Sequence, residues 1–231
     1  MRFGCRFLGG CLACGLLLGV FAMGAWAEGF EEVRFETSDG GTIYGNLYGE
    51  GDEAVVLAHG AVFDKESWHE LAMRLAEEGV QVLAIDFRGY GKSEGGSEGR
   101  GGMALDVLGA VAYLREGGVR EVSVVGGSMG GSAAAAAAVK AGPEDIDRLV
   151  LLAAGSVAAP EQLQAATLFI VSEGEGMREG VEADYAVAAE PKKLVVLAGN
   201  EHAQHVFKTD QAGALTEAIV SWVTGDAGTG E

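Results

Sequence analysis

"VSVVGGSMGGSAAAAAAVK", residues 122–140, decides how the rest of the chain is read. A β-branched run leads straight into Gly126-Gly127-Ser128-Met129-Gly130-Gly131 and then into six alanines, Ala133–Ala138. Glycine weakens strands and helices alike, so glycines packed around one serine need a steric cause. A serine lifted on a sharp strand-to-helix turn supplies one. Side chains two positions to either side would strike the strand or the helix, and Gly126 and Gly130 have none. The first amides of the helix then aim where the hydroxyl aims, and the positive end of the helix dipole favours an anion there. The alanine run keeps helix propensity high and lets the helix lie close against a sheet.

Outward from this stretch, apolar β-rich runs alternate with helical patterns, which predicts a mostly parallel sheet with helices on both faces. A hairpin opens the pattern: "EEVRFETSDGGTIYGNLYGEG" (31–51) alternates on both sides of Ser38-Asp39-Gly40-Gly41. Strands follow at 54–60, 80–89, 121–127, 147–155, 166–172 and 192–200. Helices are expected at 65–79, 102–118, 129–140, 182–190 and 210–225. About a dozen residues separate Gly155 from Ala166, which leaves no room for a separate cap domain. The expected division is a leader over 1–27, one α/β domain over 28–225 and a frayed tail over 226–231.

Two further stretches lie at strand ends. "LAHGA" (57–61) puts a backbone amide, best placed at Ala61, where it can join that of Met129 as an oxyanion hole. "DFRGYGKS" (86–93) ends the next strand, and Asp86 and Arg88 are expected to fix its tight turn by hydrogen bonds. Val62 and Phe63 are candidates for an apolar wall beside the site, and Trp68 for the core.

With the glycine-flanked serine, these stretches and the order of elements resemble the α/β-hydrolase family over nearly all of residues 31–225. The resemblance implies a doubly wound, mostly parallel sheet with an N-terminal antiparallel hairpin, and a chain order of serine, acid, histidine. It places the histidine just after the last strand, in "LAGNEHAQHVF", where His202 occupies the family's usual slot; His205 is the alternative, and otherwise a loop or helix-capping residue packing beside the site. It places the acid after the strand "ATLFIVS", in "EGEGMREG". Glu175 falls where the family most often has aspartate, and Glu173 is the alternative. His59 corresponds to the residue that orders the oxyanion loop. His202-x-x-His205 has the spacing of a metal pair, but no cysteine and no third ligand accompanies it, so neither metal nor other cofactor is expected.

Composition narrows the partners. There are 16 Lys and Arg against 34 Asp and Glu, a formal net charge of −18. Such a surface repels nucleic acid, anionic lipid and polyanionic substrates. Arg2 and Arg6, the apolar run from Phe7 to Trp26 and the small residues of Ala25-Trp26-Ala27 read as a cleaved secretory signal. A retained membrane anchor is the alternative, since the run is long enough to span a bilayer. All three cysteines, Cys5, Cys11 and Cys14, lie in that segment, so residues 28–231 use neither disulfides nor thiol chemistry. The expectation is an exported serine hydrolase, periplasmic or secreted, that cleaves small carboxylic esters. Peptidase, lactonase or acyltransferase chemistry on the same scaffold is the first rival, and a non-catalytic binding protein the second.

Overall fold

The computed structural model describes Met1 and residues 29–225. The expected signal peptide and the tail over 226–231 therefore lie outside the described residues. Eight strands form one sheet: β1 (Glu31–Glu36), β2 (Thr42–Tyr48), β3 (Glu53–Ala58), β4 (Gln81–Ile85), β5 (Glu121–Gly127), β6 (Arg148–Leu152), β7 (Ala166–Ser172) and β8 (Lys192–Leu197). Their order is β1-β2-β4-β3-β5-β6-β7-β8. β1 pairs antiparallel with β2, and β2 antiparallel with β4. Every other pairing is parallel.

Among the described residues five α-helices cover the sheet: α1 (His69–Glu77), α2 (Met103–Glu116), α3 (Met129–Lys140), α4 (Arg178–Val187) and α5 (Ala212–Val223). Successive strand residues face opposite sides. Val56, Val124, Leu149 and Phe169 pack with Val107, Ala110, Ala134 and Val181 on one face. Val55, Val125, Val150 and Leu168 pack with Leu71, Leu75, Leu215 and Ile219 on the other. Burial on both sides explains why the central strands read as unbroken apolar runs. Among the described residues no helix is long and apolar enough to cross a membrane.

Strand placement follows the sequence closely, whereas two helices differ. The predicted helix at 65–79 begins as a 3-10 turn, Lys65–Trp68, because the Asp64 side chain accepts the Glu66 amide at 3.1 Å and tightens the start. The helix expected at 182–190 is α4, which starts at Arg178. The Glu175 carbonyl accepts the Arg178 amide at 3.3 Å, so the turn carrying Glu175 leads directly into the helix. Between β6 and β7 the described chain has only a short 3-10 turn, Pro160–Gln162.

Asp86 and Arg88 differ from expectation too. Their partners are not in the turn that follows them. Asp86 takes the Lys65 backbone amide at 2.9 Å and its ammonium at 2.7 Å. Arg88 donates to Asp106 at 2.8–3.1 Å and to Asp39 at 2.9–3.0 Å. Both side chains are buried, and a buried charge requires a fixed counter-charge wherever the fold can supply one. Here the counter-charges sit on other elements, so the two residues clamp the hairpin turn, α2 and the segment before α1 onto the end of β4.

The close approach of α3 explains the glycines. A Cβ on Gly130 would run into the Ala58 carbonyl oxygen, and one on Gly126 would lie 2.5 Å from the Gly130 carbonyl oxygen. Gly130→Ala is expected to lower stability by about 1–3 kcal/mol, since backbone rather than a mobile side chain must yield. Gly213→Ala is the control. Gly213 is exposed in α5, where an added methyl would meet nothing within 4 Å, so helix propensity should raise stability by about 0.5–1 kcal/mol. Urea midpoints of the two variants check both signs.

Candidate active site

β3 is the strand from which the chain leaves first to one side, β4, and then to the other, β5. At such a switch point the loops after two neighbouring strands splay apart and leave a crevice at the strand C-termini. Register brings Ala58 of β3 opposite Gly126 of β5, so the loop starting at His59 lies beside the turn at Ser128.

Ser128 has φ 51° and ψ −113°. This is left-handed backbone for a residue with a side chain, a conformation that costs of order 1–3 kcal/mol and survives only where surroundings enforce it. The Ser128 amide is held by the Leu152 carbonyl at 2.8 Å, which pins the turn to β6. The amide of Met129 makes no hydrogen bond among the described residues, as expected for the first turn of a helix.

Ser128 Oγ lies 2.8 Å from His202 Nε2, and His202 Nδ1 lies 3.3 Å from Glu175 Oε2. An ionised carboxylate only accepts, so Nδ1 donates to Glu175 and Nε2 is left to accept from the Ser128 hydroxyl. Glu175 reaches this position because the loop after β7 runs beside the loop after β8. The Gly174 amide donates to the Gly199 carbonyl at 2.8 Å, and the Ser172 hydroxyl to the Glu201 carbonyl at 2.6 Å. The Glu175 side chain is 3% exposed against 40% for His202. Burial therefore pushes the Glu175 carboxyl above the usual carboxylate range, opposed by the neighbouring His202. Its Oε1 is buried without a partner among the described residues, so the carboxylate depends on the imidazole for compensation. Glu173, the alternative acid, is exposed, and its carbonyl accepts from Arg178 at 3.0 Å. The structure brings Glu175, and not Glu173, to His202.

The loop after β3 is bonded from three sides. His59 is fully buried; its Nδ1 donates to the Gly60 carbonyl at 2.8 Å and its Nε2 accepts the Phe87 amide at 3.2 Å. Accepting at Nε2 requires the neutral ring, and burial lowers its pKa in the same sense. The Gly60 amide donates to Gln204 Oε1 at 2.7 Å, and the Tyr90 hydroxyl donates to the Ala61 carbonyl at 2.9 Å. The Ala61 amide has no partner among the described residues. Val62 is 79% exposed. Phe63 packs against His205, ring centroids 4.9 Å apart, and Trp68 is fully buried in the core. No cluster of three or more His, Cys, Asp or Glu able to hold a metal ion occurs among the described residues.

The contributions of Gln204 and Tyr90 were not legible in the sequence. A glutamine two residues past a histidine and a tyrosine in a glycine turn carry no periodic signal.

A family model described as the alpha/beta hydrolase fold matches residues 53–204. A 119-residue stretch, 49% of this chain, is 32% identical to a 2-hydroxy-6-oxononadienedioate/2-hydroxy-6-oxononatrienedioate hydrolase of Escherichia coli (strain K12) and covers 40% of that protein. A Pseudomonas protein of the same description is 34% identical over 122 residues, 51% of this chain and 42% of the relative. The chain thus matches about two fifths of the length of these curated relatives. Among solved structures, an esterase from Exiguobacterium antarcticum superposes with a TM-score of 0.70 at 20% identity, covering 84% of this chain and 100% of that one. An esterase from Pyrococcus furiosus gives 0.71 at 16% identity, covering 85% and 92%. A meta-cleavage product hydrolase from Pseudomonas fluorescens gives 0.69 at 15%, covering 84% and 98%. At such identities the structural likeness speaks for the fold, and the matched sequence speaks for descent. Strand order, serine turn and family match agree: the chain belongs to the alpha/beta hydrolase fold family.

Proposed function

We propose that this chain is a serine hydrolase of small, uncharged carboxylic esters, with Ser128 as nucleophile, His202 as general base and acid, and Glu175 orienting His202. The observation that carries the reading is the 2.8 Å contact between Ser128 Oγ and His202 Nε2 on a strained turn flanked by free amides. As Oγ attacks the ester carbonyl carbon, its proton passes to Nε2 and the carbonyl electrons move onto oxygen. The amides of Ala61 and Met129 stabilise that oxyanion. Collapse breaks the carbon–alkoxide bond, Nε2 returns the proton to the departing alcohol, and an acyl-Ser128 ester remains. Water, deprotonated at Nε2, attacks this ester; Ser128 Oγ leaves and takes the proton back, and the acid is released.

The acidic surface supports the restriction to uncharged substrates. Lys65 and Arg178, in the segments after β3 and after β7, are already paired with Asp86 and Glu182. The curated relatives favour a second reading on the same residues, hydrolysis of a carbon–carbon bond in a dienedioate, but two carboxylates on a substrate would meet that charge. The apolar stretch 7–26, ending in the small residues of Ala25-Trp26-Ala27, supports placing the enzyme outside the cytoplasm.

Purified protein should hydrolyse p-nitrophenyl acetate and butyrate and incorporate about one fluorophosphonate per chain. An ester bearing a carboxylate should show a kcat/KM about tenfold lower at low salt, and the gap should narrow as ionic strength rises. Turnover of a 2-hydroxy-6-oxo-dienedioate without ester turnover would replace the first reading by the second. A folded protein that neither labels nor turns over either class would overturn both.

A further inference from the structure

We infer that Gln204 is a positioning residue that sets the oxyanion loop, through a one-way hydrogen-bond relay between the histidine-bearing loop and residues 60–67. The inference rests on the serine hydrolase reading above. Gln204 is 2% exposed, and both ends of its amide are used. Oε1 accepts the Gly60 amide at 2.7 Å, and Nε2 donates to Ser67 Oγ at 2.6 Å. The Ser67 hydroxyl donates in turn to the Asp64 carbonyl at 2.5 Å, so its lone pairs are left to accept from Nε2. A flipped amide would set Nε2 against the Gly60 N–H and leave Ser67 without a donor, so only one orientation satisfies every group.

The side chain occupies space that two glycines leave open. A Cβ on Gly127 would lie 3.0 Å from Gln204 Oε1, and one on Gly60 3.3 Å from it. One amide therefore touches the loop after β3 and the strand end beneath Ser128, while its own backbone follows His202 by two residues. The chain makes an unusual turn to put it there, with Ala203 buried at φ 48°.

The relay also determines which amide remains free. The Gly60 N–H is taken by Gln204, and the Gly60 carbonyl is taken by His59 Nδ1 and by the Phe63 amide at 3.0 Å. With Gly60 fixed at both ends, the next peptide presents the Ala61 N–H as an unused donor. A donor misplaced by about 1 Å costs on the order of 10²-fold in rate, so a bond that fixes Gly60 acts on the tetrahedral state and leaves planar substrate almost unaffected.

The test compares butylboronic acid, which becomes tetrahedral on Ser128, with butyramide, which stays planar, as inhibitors of p-nitrophenyl butyrate hydrolysis. Gln204→Met keeps the volume and removes both bonds. It should weaken boronate inhibition by roughly 10- to 100-fold, lower kcat/KM in parallel and leave butyramide inhibition within about twofold. Gln204→Glu should recover towards wild type as pH falls, when measured as a ratio to wild type at each pH, because only the protonated carboxyl can both accept from Gly60 and donate to Ser67. Equal boronate inhibition of wild type and a folded Gln204→Met, or equal losses for boronate and butyramide, would overturn the assignment. Should Gln204→Met not fold, Ser67→Ala decides: boronate inhibition at least about threefold weaker supports the relay, and unchanged inhibition overturns it. A wild type that binds no boronic acid and takes no fluorophosphonate would instead overturn the serine hydrolase reading itself.

Discussion

Ser128→Ala should lower kcat for p-nitrophenyl acetate by roughly 10⁴- to 10⁶-fold and abolish fluorophosphonate labelling, with His202→Ala close behind. The two losses should not add, because the hydroxyl is reactive only while Nε2, 2.8 Å away, takes its proton. A second substitution at the same position separates function from packing. Ser128 holds φ 51° and ψ −113°, a conformation easy for glycine and costly for any residue with a Cβ. Ser128→Gly should therefore be inactive and yet more stable than Ser128→Ala, by about 1–2 kcal/mol. Thermal melts of the two inactive variants measure the difference. Melting temperatures that are equal, or reversed, would mean that the turn is not strained and that the nucleophile mount is misread.

Glu175→Gln should reduce kcat by about 10²- to 10⁴-fold with KM little changed, since His202 loses both its tautomer lock and the charge that stabilises imidazolium. Its effect on stability should have the opposite sign at high pH. Burial raises the folded-state pKa of Glu175, so between its unfolded and folded values the native chain holds more protons than the unfolded one. Wild-type stability then declines as pH rises through that window, and the glutamine variant lacks this component. Below the ordinary glutamate pKa the carboxyl is protonated in both states and its contribution is flat. The melting temperature of Glu175→Gln minus that of wild type should therefore grow from acid towards neutral pH. A difference independent of pH would show that the carboxylate is not desolvated. Unchanged kcat would remove Glu175 from the mechanism.

The Glu175 and Gln204 contacts show where local sequence stops being informative. Strand positions, the hairpin, the alanine helix and the serine turn are set by interactions between residues near in the chain: alternation, helix propensity and the steric demand that removes side chains at 126 and 130. These were readable because glycine and β-branched residues change backbone energies wherever they stand. The histidine was readable as well, since it directly follows the last strand.

The carboxylate facing His202 was readable only through the family resemblance, which put Glu175 first and left Glu173 open. Glu173 and Glu175 sit in one short glycine-rich loop, and the choice is made by hydrogen bonds from Gly174 to Gly199 and from Ser172 to the Glu201 carbonyl, partners more than 20 residues away. The partners of Asp86 and Arg88 lie on α2, in the hairpin turn and before α1, and charge burial selected them. Gln204 offers no pattern at all until β3 and β5 bring Gly60 and Gly127 against it. The sequence by itself determined the elements, their type and the glycine-flanked serine turn, because those depend on local backbone energetics. The tertiary structure decided that Glu175 rather than Glu173 meets His202, and it alone decided the buried ion pairs and the contacts of Gln204, because polar groups leave water only when the packed chain brings a partner to them.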